Sequence, residues 1–471
     1  MRLLPAILII FTLTISSCNT STKHKALNSE QRTLNSEQPN ILFVFADDWG
    51  FGDLGCYGSK EVTTPNIDKL ASQGTRYTQF HVTSGVCSPS RTSVITGHFP
   101  ARHRVHGHFA GNEVNARRGM PNWFDENLPV YLPRLMQEAG YTTAHFGKWH
   151  LGGGGLPHGD LSAPEPKVYG YDETRVWNGN GPTWKGDQLW PATRYMDDDT
   201  LWVQSSSRIA VDVTIDFLKR NKNGKPMFVN LWLKDPHTPL WPSDEQRGPY
   251  KNKNLHPDKE TYFSVLTDAD FHIGRLMDAL TEMGLDENTL VIFSSDNGPA
   301  HYPPALIAGS TGGLKGRKAD IFQGGVNVPF IIRWSGHVAA GKVDSESVLS
   351  TVDLLPTFCE LAQMELPATY QPDGESFTSI FDNGTFKRTK PLFWDWHFGQ
   401  VSDNPRQINQ WPENAVRDEE WKLYYNSKID RTELYNIKDD PFEKNNLAEE
   451  NPEKVKRLLG LLKDWKSGLP K

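Results

Sequence analysis

The sequence predicts an α/β fold: a large mixed, mainly parallel sheet flanked by helices, followed by a smaller C-terminal α+β subdomain containing an antiparallel sheet. Three observations predict it. Continuous apolar runs, the pattern of strands buried on both faces, alternate with segments of helical periodicity. Polar and charged residues follow directly on four of these runs, at the strand ends where open parallel sheets hold ligands. From about residue 386 the pattern changes to short strand-like pieces and a final helix.

With 471 residues the chain can build one large domain and a small one. A net charge of −7 gives no general field for nucleic acid or anionic lipid, so a polyanionic substrate needs local basic residues. No nucleic-acid partner is expected. Arg2 and the apolar run Leu3 to Ile15 form a targeting segment too short to span a bilayer. Small residues before Cys18 resemble a bacterial lipoprotein signal over 1–18, in which Cys18 is lipidated; an ordinary signal peptide is the alternative. Either reading exports the protein, to the periplasm or cell surface, and touches the membrane only through that anchor. Residues 19–39 are polar, nearly repeat Leu-Asn-Ser-Glu-Gln, and read as a tether. The main domain then occupies 40–385 and the subdomain 386–471. Four cysteines, Cys18, Cys56, Cys87 and Cys359, show no disulfide-framework or thiolate-metal spacing. Cys56 and Cys359 are a bridge or two free thiols.

Taken in order, Ile41 to Ala46 is a buried strand ending in Asp47-Asp48. Thr64 to Ala71 is a capped helix stopped by Gly74. Leu128 to Ala139 is helical and Gly140 ends it. Tyr141 to Phe146 is a strand leading into Gly147-Lys148-Trp149-His150. Residues 151–200, rich in Gly, Pro, Trp, Asn and Asp, form an irregular insertion that shapes a cleft. Leu201 to Arg220 is helical, Pro226 to Leu233 is a strand, and Asp235-Pro236-His237-Thr238-Pro239 follows. Asp258 to Met283 has helical periodicity. Leu290 to Phe293 is a strand that delivers Asp296-Asn297-Gly298. After a loop rich in glycine and lysine, Val328 to Ile332 is another strand. Strand-like pieces at Pro391–Trp396, Asn414–Arg417 and Trp421–Tyr425 precede a helix from Asn451-Pro452, with Val455, Leu458, Leu459, Leu462 and Trp465 on one face.

Ser84 to Val94 is the stretch around which the chain is organised. Cys87 opens a turn into a helix, Pro89 suits a first helical position, and Ser88 or Ser90 caps it. The helix start aims unpaired N–H groups at whatever Cys87 holds. Arg91, one turn on, adds a forked cation suited to tetrahedral oxyanions. A nucleophile, a helix start and an arginine together point to attack on a sulfate or phosphate ester. Asp47, Asp48, Asp296 and Asn297 are oxygen donors without histidine or thiolate, a set suited to calcium or magnesium rather than zinc.

Cys87-x-Pro89-x-Arg91 resembles the motif of type I sulfatases, members of the alkaline phosphatase superfamily whose cysteine is oxidised to Cα-formylglycine. Ala46-Asp47-Asp48, Gly147-Lys148-Trp149-His150, Pro236-His237-Thr238-Pro239, Ser295-Asp296-Asn297-Gly298, the Lys318 loop, Ala415-Val416-Arg417 and Glu433-Leu434-Tyr435-Asn436 follow in that family's order. The resemblance spans roughly residues 39–465. It implies a sulfatase fold and an exported sulfuric ester hydrolase acting on a sulfated carbohydrate: an algal polysaccharide such as ulvan or carrageenan, or a glycosaminoglycan oligosaccharide. It implies Ca2+ held by Asp47, Asp48, Asp296, Asn297 and the modified Cys87, and a formylglycine-generating maturation enzyme as partner. Arg91, Lys148, His150, His237 and Lys318 would surround the sulfate. Lys318 has the family's spacing to Gly324-Gly325; Lys315 is the alternative.

In the implied reaction one hydroxyl of the hydrated aldehyde attacks sulfur, while Arg91, Lys148, Lys318 and the metal offset charge. His237 with Lys318 protonates the departing alcohol, and the second hydroxyl, deprotonated toward His150, expels sulfate. His98, Gln323 and Asn327 depart from the family's usual arginine, glutamate and arginine. His103, His106, His108, Trp123, Trp177, Trp184, Arg194, Trp396 and His397 line a sugar subsite or are packing and surface residues. Two rival functions are a phosphatase or phosphodiesterase of the same superfamily and a catalytically silent glycan-binding lipoprotein. The first usually carries Ser or Thr and histidine-rich zinc sites, and the second has no need of every catalytic group.

Overall fold

The structure, a computed structural model, describes residues 38–152, 162–177, 184–186, 204–396 and 411–470. The lipoprotein signal, Cys18 and all but the end of the tether lie outside the described residues, and so do Arg194 and His397.

Ten strands form the main sheet. In chain order they are β1 (Asn40–Ala46), β2 (Thr75–His81), β3 (Thr142–Lys148), β4 (Glu173–Trp177), β5 (Trp184–Gly186), β6 (Met227–Trp232), β7 (Thr289–Ser295), β8 (Asn327–Arg333), β9 (Lys342–Asp344) and β10 (Leu349–Ser350). Their spatial order is β10-β2-β8-β7-β1-β6-β3-β4-β5, with β9 also on β2. At the centre β7, β1, β6, β3 and β4 run parallel, Phe43 of β1 facing Asn230 of β6 and Ile292 of β7. The sheet is mixed because β8 runs antiparallel to both β7 and β2, and β5 to β4. Every residue of β6 and β7 is buried, which explains why both are mostly apolar, Asn230 of β6 being hydrogen-bonded to the Tyr171 hydroxyl.

Helices cover both faces. The longer ones are α1 (Pro65–Ser72), α2 (Cys87–Thr96), α3 (Leu132–Glu138), α4 (Ser206–Asn221), α5 (Pro257–Glu282), α6 (Leu354–Leu361) and α7 (Pro452–Ser467). One buried apolar cluster joins Leu42, Val44, Leu231 and Val291 to Ile273 and Leu276 of α5. The other joins Phe43, Phe45 and Phe330 to α2, α6 and the C-terminal unit. That unit is a separate antiparallel sheet, β11 (Leu392–Asp395), β12 (Asn414–Asp418), β13 (Trp421–Asn426) and β14 (Arg431–Asn436), packed with α7.

The structure differs from the sequence reading in several local details. α2 begins at Cys87, so Pro89 is its third residue; an α-helix leaves the N–H of that position unpaired, so a proline, which has none, still fits. Neither serine caps it: Val86 occupies the cap position without a side-chain bond. α3 starts only at Leu132, because Pro133 fits the first turn and cannot bond backward. The insertion contributes β4 to the sheet, and β2, β14 and α6 are additional elements. Cys56, Cys87 and Cys359 are free thiols.

Candidate active site

Four adjacent parallel strands end at one place. β1 delivers Asp47 and Asp48, β3 delivers Lys148 and His150, the loop after β6 delivers His237, and β7 delivers Asp296 and Asn297. Gly147 makes this possible in β3: its φ is +101°, and a Cβ there would strike the Trp232 carbonyl. Asp48 and His150 also have positive φ, 67° and 54°, turning their side chains out of strand geometry. α2 arrives from the opposite side with Cys87 in its first turn. The Lys318 loop closes against it through an Ala319 N–H donated to the Gly85 carbonyl at 2.8 Å.

The converging side chains are buried and paired. Arg91 donates to Asp296 Oδ2 through Nη2 at 2.7 Å and Nε at 3.0 Å, and through Nη1 to the Lys148 carbonyl at 2.9 Å. Its guanidinium lies 5.1 Å from the Trp232 ring centroid. Lys148 Nζ pairs with Asp47 and lies 3.7 Å from Cys87 Sγ. Lys318 Nζ is 2.6 Å from Asp48, and Asn297 Nδ2 donates to the same carboxylate at 2.7 Å. Lys315 turns instead to Tyr435 and Glu433 of the C-terminal sheet, at 3.1 and 3.5 Å.

The ionisation of this cluster follows from crowding. Burial opposes charge on Asp47, but Lys148 above all, with Lys318 and Arg91, holds its carboxyl well below the ordinary value. Burial, and then the Asp47 charge, push Asp296 upward despite Arg91. Burial would lower the Lys318 ammonium, but Asp48 against it holds it well above its usual range. Burial, with Lys318 beside His237 and Lys148 beside His150, keeps both imidazoles far below the ordinary value and hence neutral.

The hydrogen bonds fix the tautomers. His150 Nε2 faces the Phe109 carbonyl at 3.2 Å, so Nε2 carries the hydrogen. Its buried Nδ1 has no hydrogen-bond partner among the described residues and keeps a lone pair. His237 Nδ1 faces the Thr238 carbonyl at 2.8 Å, which leaves the lone pair on Nε2.

A hard cation fits these residues. Among the described residues, Asp47 Oδ1 and Asn297 Oδ1 are buried oxygens without a hydrogen-bond partner. Ligand atoms of Asp47, Cys87 and Asp296 lie within 4.8 Å of one another, as do those of Asp47, Asp48 and His237. Carboxylate and amide oxygens dominate the set, the donors calcium takes.

The family model described as Sulfatase matches residues 39–364, well over half the chain. The chain belongs to the sulfatase family. It is a sulfuric ester hydrolase. A second model, N-sulphoglucosamine sulphohydrolase, C-terminal, matches residues 317–464. The N-acetylgalactosamine-6-O-sulfatase of Bacteroides thetaiotaomicron is 27% identical over 92% of this chain and 94% of its own. Human arylsulfatase A is 32% identical over 70% of this chain and 65% of its own. Among solved structures, Ps i-CgsB in complex with k-i-k-neocarrahexaose is 26% identical with a TM-score of 0.74, covering 91% of this chain and 93% of that one. A phosphonate monoester hydrolase of Agrobacterium radiobacter shares the fold at a TM-score of 0.62 and 20% identity, covering 91% of this chain and 95% of that one. The fold thus serves more than one ester chemistry, and the sequence family distinguishes this sulfatase.

The residues suggested for a sugar subsite separate in the sulfatase structure. Trp177 and Trp396 are buried in the interior. Trp123 is half-buried and donates to Glu126 at 2.9 Å. His103 stacks on His98, whereas the His108 ring lies 6.1 Å from that of His150. The side chain of Trp184 lies outside the described residues. His98, Gln323 and Asn327 bond to Gln371, His81 and Thr78 respectively. Two residues at the site are given no site role by the sequence: Ser88, read only as a cap candidate within the Cys87 stretch, and Tyr302, which belongs to no motif. The Ser88 hydroxyl, donated to the His150 carbonyl at 2.7 Å, ties α2 to β3. Tyr302 stands beside His237. Only proximity in the fold marks them.

Proposed function

We propose that this sulfatase is exported and calcium-dependent, and that it removes sulfate esters from a sulfated carbohydrate by means of a formylglycine made from Cys87. The grouping of Asp47 and Asp296 with Cys87, of Asp48 with Asp47 and of Asn297 with Asp48, and the oxygens of Asp47 and Asn297 that have no hydrogen-bond partner among the described residues, carry this reading. Those five residues would hold calcium. Calcium and the hydrated aldehyde together would supply a fixed positive charge and an oxygen nucleophile.

The chain's own residues then have separable tasks. Arg91 fixes Asp296 and, with Lys148 and Lys318, places positive charge around an incoming sulfate. His150 accepts a proton at Nδ1. His237 delivers one from Nε2 to the departing alcohol, because a bound sulfate ester brings a negative charge that favours the imidazolium. Buried Trp49, Trp149 and Trp232 keep water from the inner side of the cluster.

The substrate class is supported by the relatives, one named for N-acetylgalactosamine 6-sulfate and one solved with a neocarrahexaose. Residues 1–18 are read as the export signal with Cys18 lipidated, placing the enzyme in the periplasm or at the cell surface. Residues 40–385 are assigned to the catalytic domain and 386–471 to the subdomain behind the Lys318 loop. The test is sulfate release from defined sulfated oligosaccharides by enzyme co-produced with a formylglycine-generating enzyme, with mass spectrometry of the Cys87 peptide. Release with an aldehyde at Cys87 is expected. Release with an intact thiol there would overturn the formylglycine step.

A further inference from the structure

Tyr302 stands at the mouth of the site, on the loop between Asn297 and Lys318. Its ring packs on the cluster beneath α5 and is partly exposed. Its hydroxyl lies 3.2 Å from His237 Nε2 and 3.5 Å from Lys318 Nζ. Lys318 Nζ also lies 5.7 Å from the centroid of the same ring. In the neutral ring the Thr238 carbonyl takes the Nδ1 hydrogen of His237, so Nε2 receives the tyrosine hydrogen; in the imidazolium Nε2–H donates to the phenolic oxygen instead, and in both states that oxygen can accept from Lys318. One hydroxyl therefore bridges the two groups assigned to protonating the leaving alcohol.

An imidazole held at Nδ1 alone can swing about that bond. A second bond at the opposite nitrogen fixes the ring plane. The competing partner is close: Asp48 Oδ2 lies 3.9 Å from Nε2, and a protonated ring released from Tyr302 would turn to that carboxylate and away from the ester oxygen.

We infer that Tyr302 is a positioning residue for the leaving-group acid: its hydroxyl aligns His237 Nε2 beside Lys318 and keeps it from Asp48. This rests on the reading of His237 and Lys318 as the proton donors. It does not touch the nucleophile's side of the site, so its effect should follow how much proton the leaving group needs.

Tyr302→Phe keeps the ring and removes the bridge. With the calcium-loaded, matured enzyme, kcat on a sugar sulfate should fall tenfold to about a hundredfold, as expected when a proton donor is misaligned. KM should change little. The loss on 4-nitrophenyl sulfate, whose leaving group departs unprotonated, should be less than threefold. In nitrogen-15 spectra, assigned by comparison with His237→Gln, the Nε2 signal of His237 should move in Tyr302→Phe while the thermal midpoint holds. Equal losses on both esters, or an unmoved Nε2 signal, would overturn the role of Tyr302. A wild type that releases sulfate from neither ester overturns the reading of the site itself, and this role with it.

Discussion

Cys87 as an unmodified thiol is poorly suited to attack. Burial pushes it up to about 11, and Lys148 on one side is countered by Asp47 on the other, so at neutral pH the sulfur keeps its proton. On the function proposed above, conversion to an aldehyde hydrate would make this position a nucleophile. Cys87→Ala should therefore fold with an unchanged thermal midpoint and keep calcium affinity within about tenfold, since the carboxylates supply most of the donors. Its sulfate release should drop by at least about a thousandfold, the scale of losing a covalent nucleophile. Calorimetric calcium titration and an ester assay on the same preparation check both halves. The other residues of the site divide by what marks them in sequence. Asp47, Asp48, Lys148, His150, His237, Asp296 and Asn297 are visible as polar residues that end apolar runs, and Lys318 through its spacing to Gly324-Gly325. Tyr302 and Ser88 carry no such mark, since their partners come from distant parts of the chain.

Strand β3 combines an end that leads Lys148 and His150 into the candidate site with a costly interior residue. His145 is fully buried among Trp149, Tyr171 and Trp232, and burial lowers it to about 3 although the Lys148 carbonyl accepts from Nε2. A histidine lowered on folding takes up its proton first in the unfolded chain. Its contribution to stability is thus intact above about pH 6.5 and is lost as pH falls from there toward 3. Chemical denaturation at pH 7 and pH 5 should show His145→Gln losing about 2 kcal/mol less than the wild type over that interval. An equal loss in both would mean that His145 does not titrate differently on folding. The same strand illustrates what a pattern can carry. A run such as Thr142–Phe146 announces a buried strand, and the polar residues after it announce its working end. Direction is not encoded in periodicity, so β8 reads as one more strand although it runs antiparallel to both neighbours. β2, Thr-Arg-Tyr-Thr-Gln-Phe-His, is only half-buried at several positions and hides among polar residues. Pro89 does not fix the start of α2 to the residue, because Pro is tolerated throughout a first turn, where the N–H groups are free in any case.

At the scale of the molecule, one ion would tie together four strand ends and a helix, so calcium should act on global stability. Chelation should lower the thermal midpoint and calcium should restore it, by up to about 4 kcal/mol at a thousandfold excess over the dissociation constant. Asp296→Asn should abolish that response in a melting assay, and a response of full size in the variant would remove Asp296 from the ligand set. The C-terminal unit is held by similar long-range ties. Trp394, Leu423, Leu434 and Leu458 share one buried apolar cluster with Phe80, Val82 and Phe330 of the main sheet. Trp394 Nε1 donates to the Val82 carbonyl at 2.9 Å, and Lys422 Nζ to the Ile321 carbonyl at 2.9 Å. Glu443 accepts the Gln323 N–H at 3.0 Å, directly behind the loop that carries Lys318. A chain ending at residue 385 would expose that apolar face and leave those buried backbone groups unpaired, each worth about 1–3 kcal/mol. Against a net stability of about 5–15 kcal/mol, the truncated chain should not fold cooperatively. Circular dichroism melts and limited proteolysis would test this. A soluble, protease-resistant fragment that still released sulfate would mean that the C-terminal sheet is an accessory and that the Lys318 loop holds its geometry unaided.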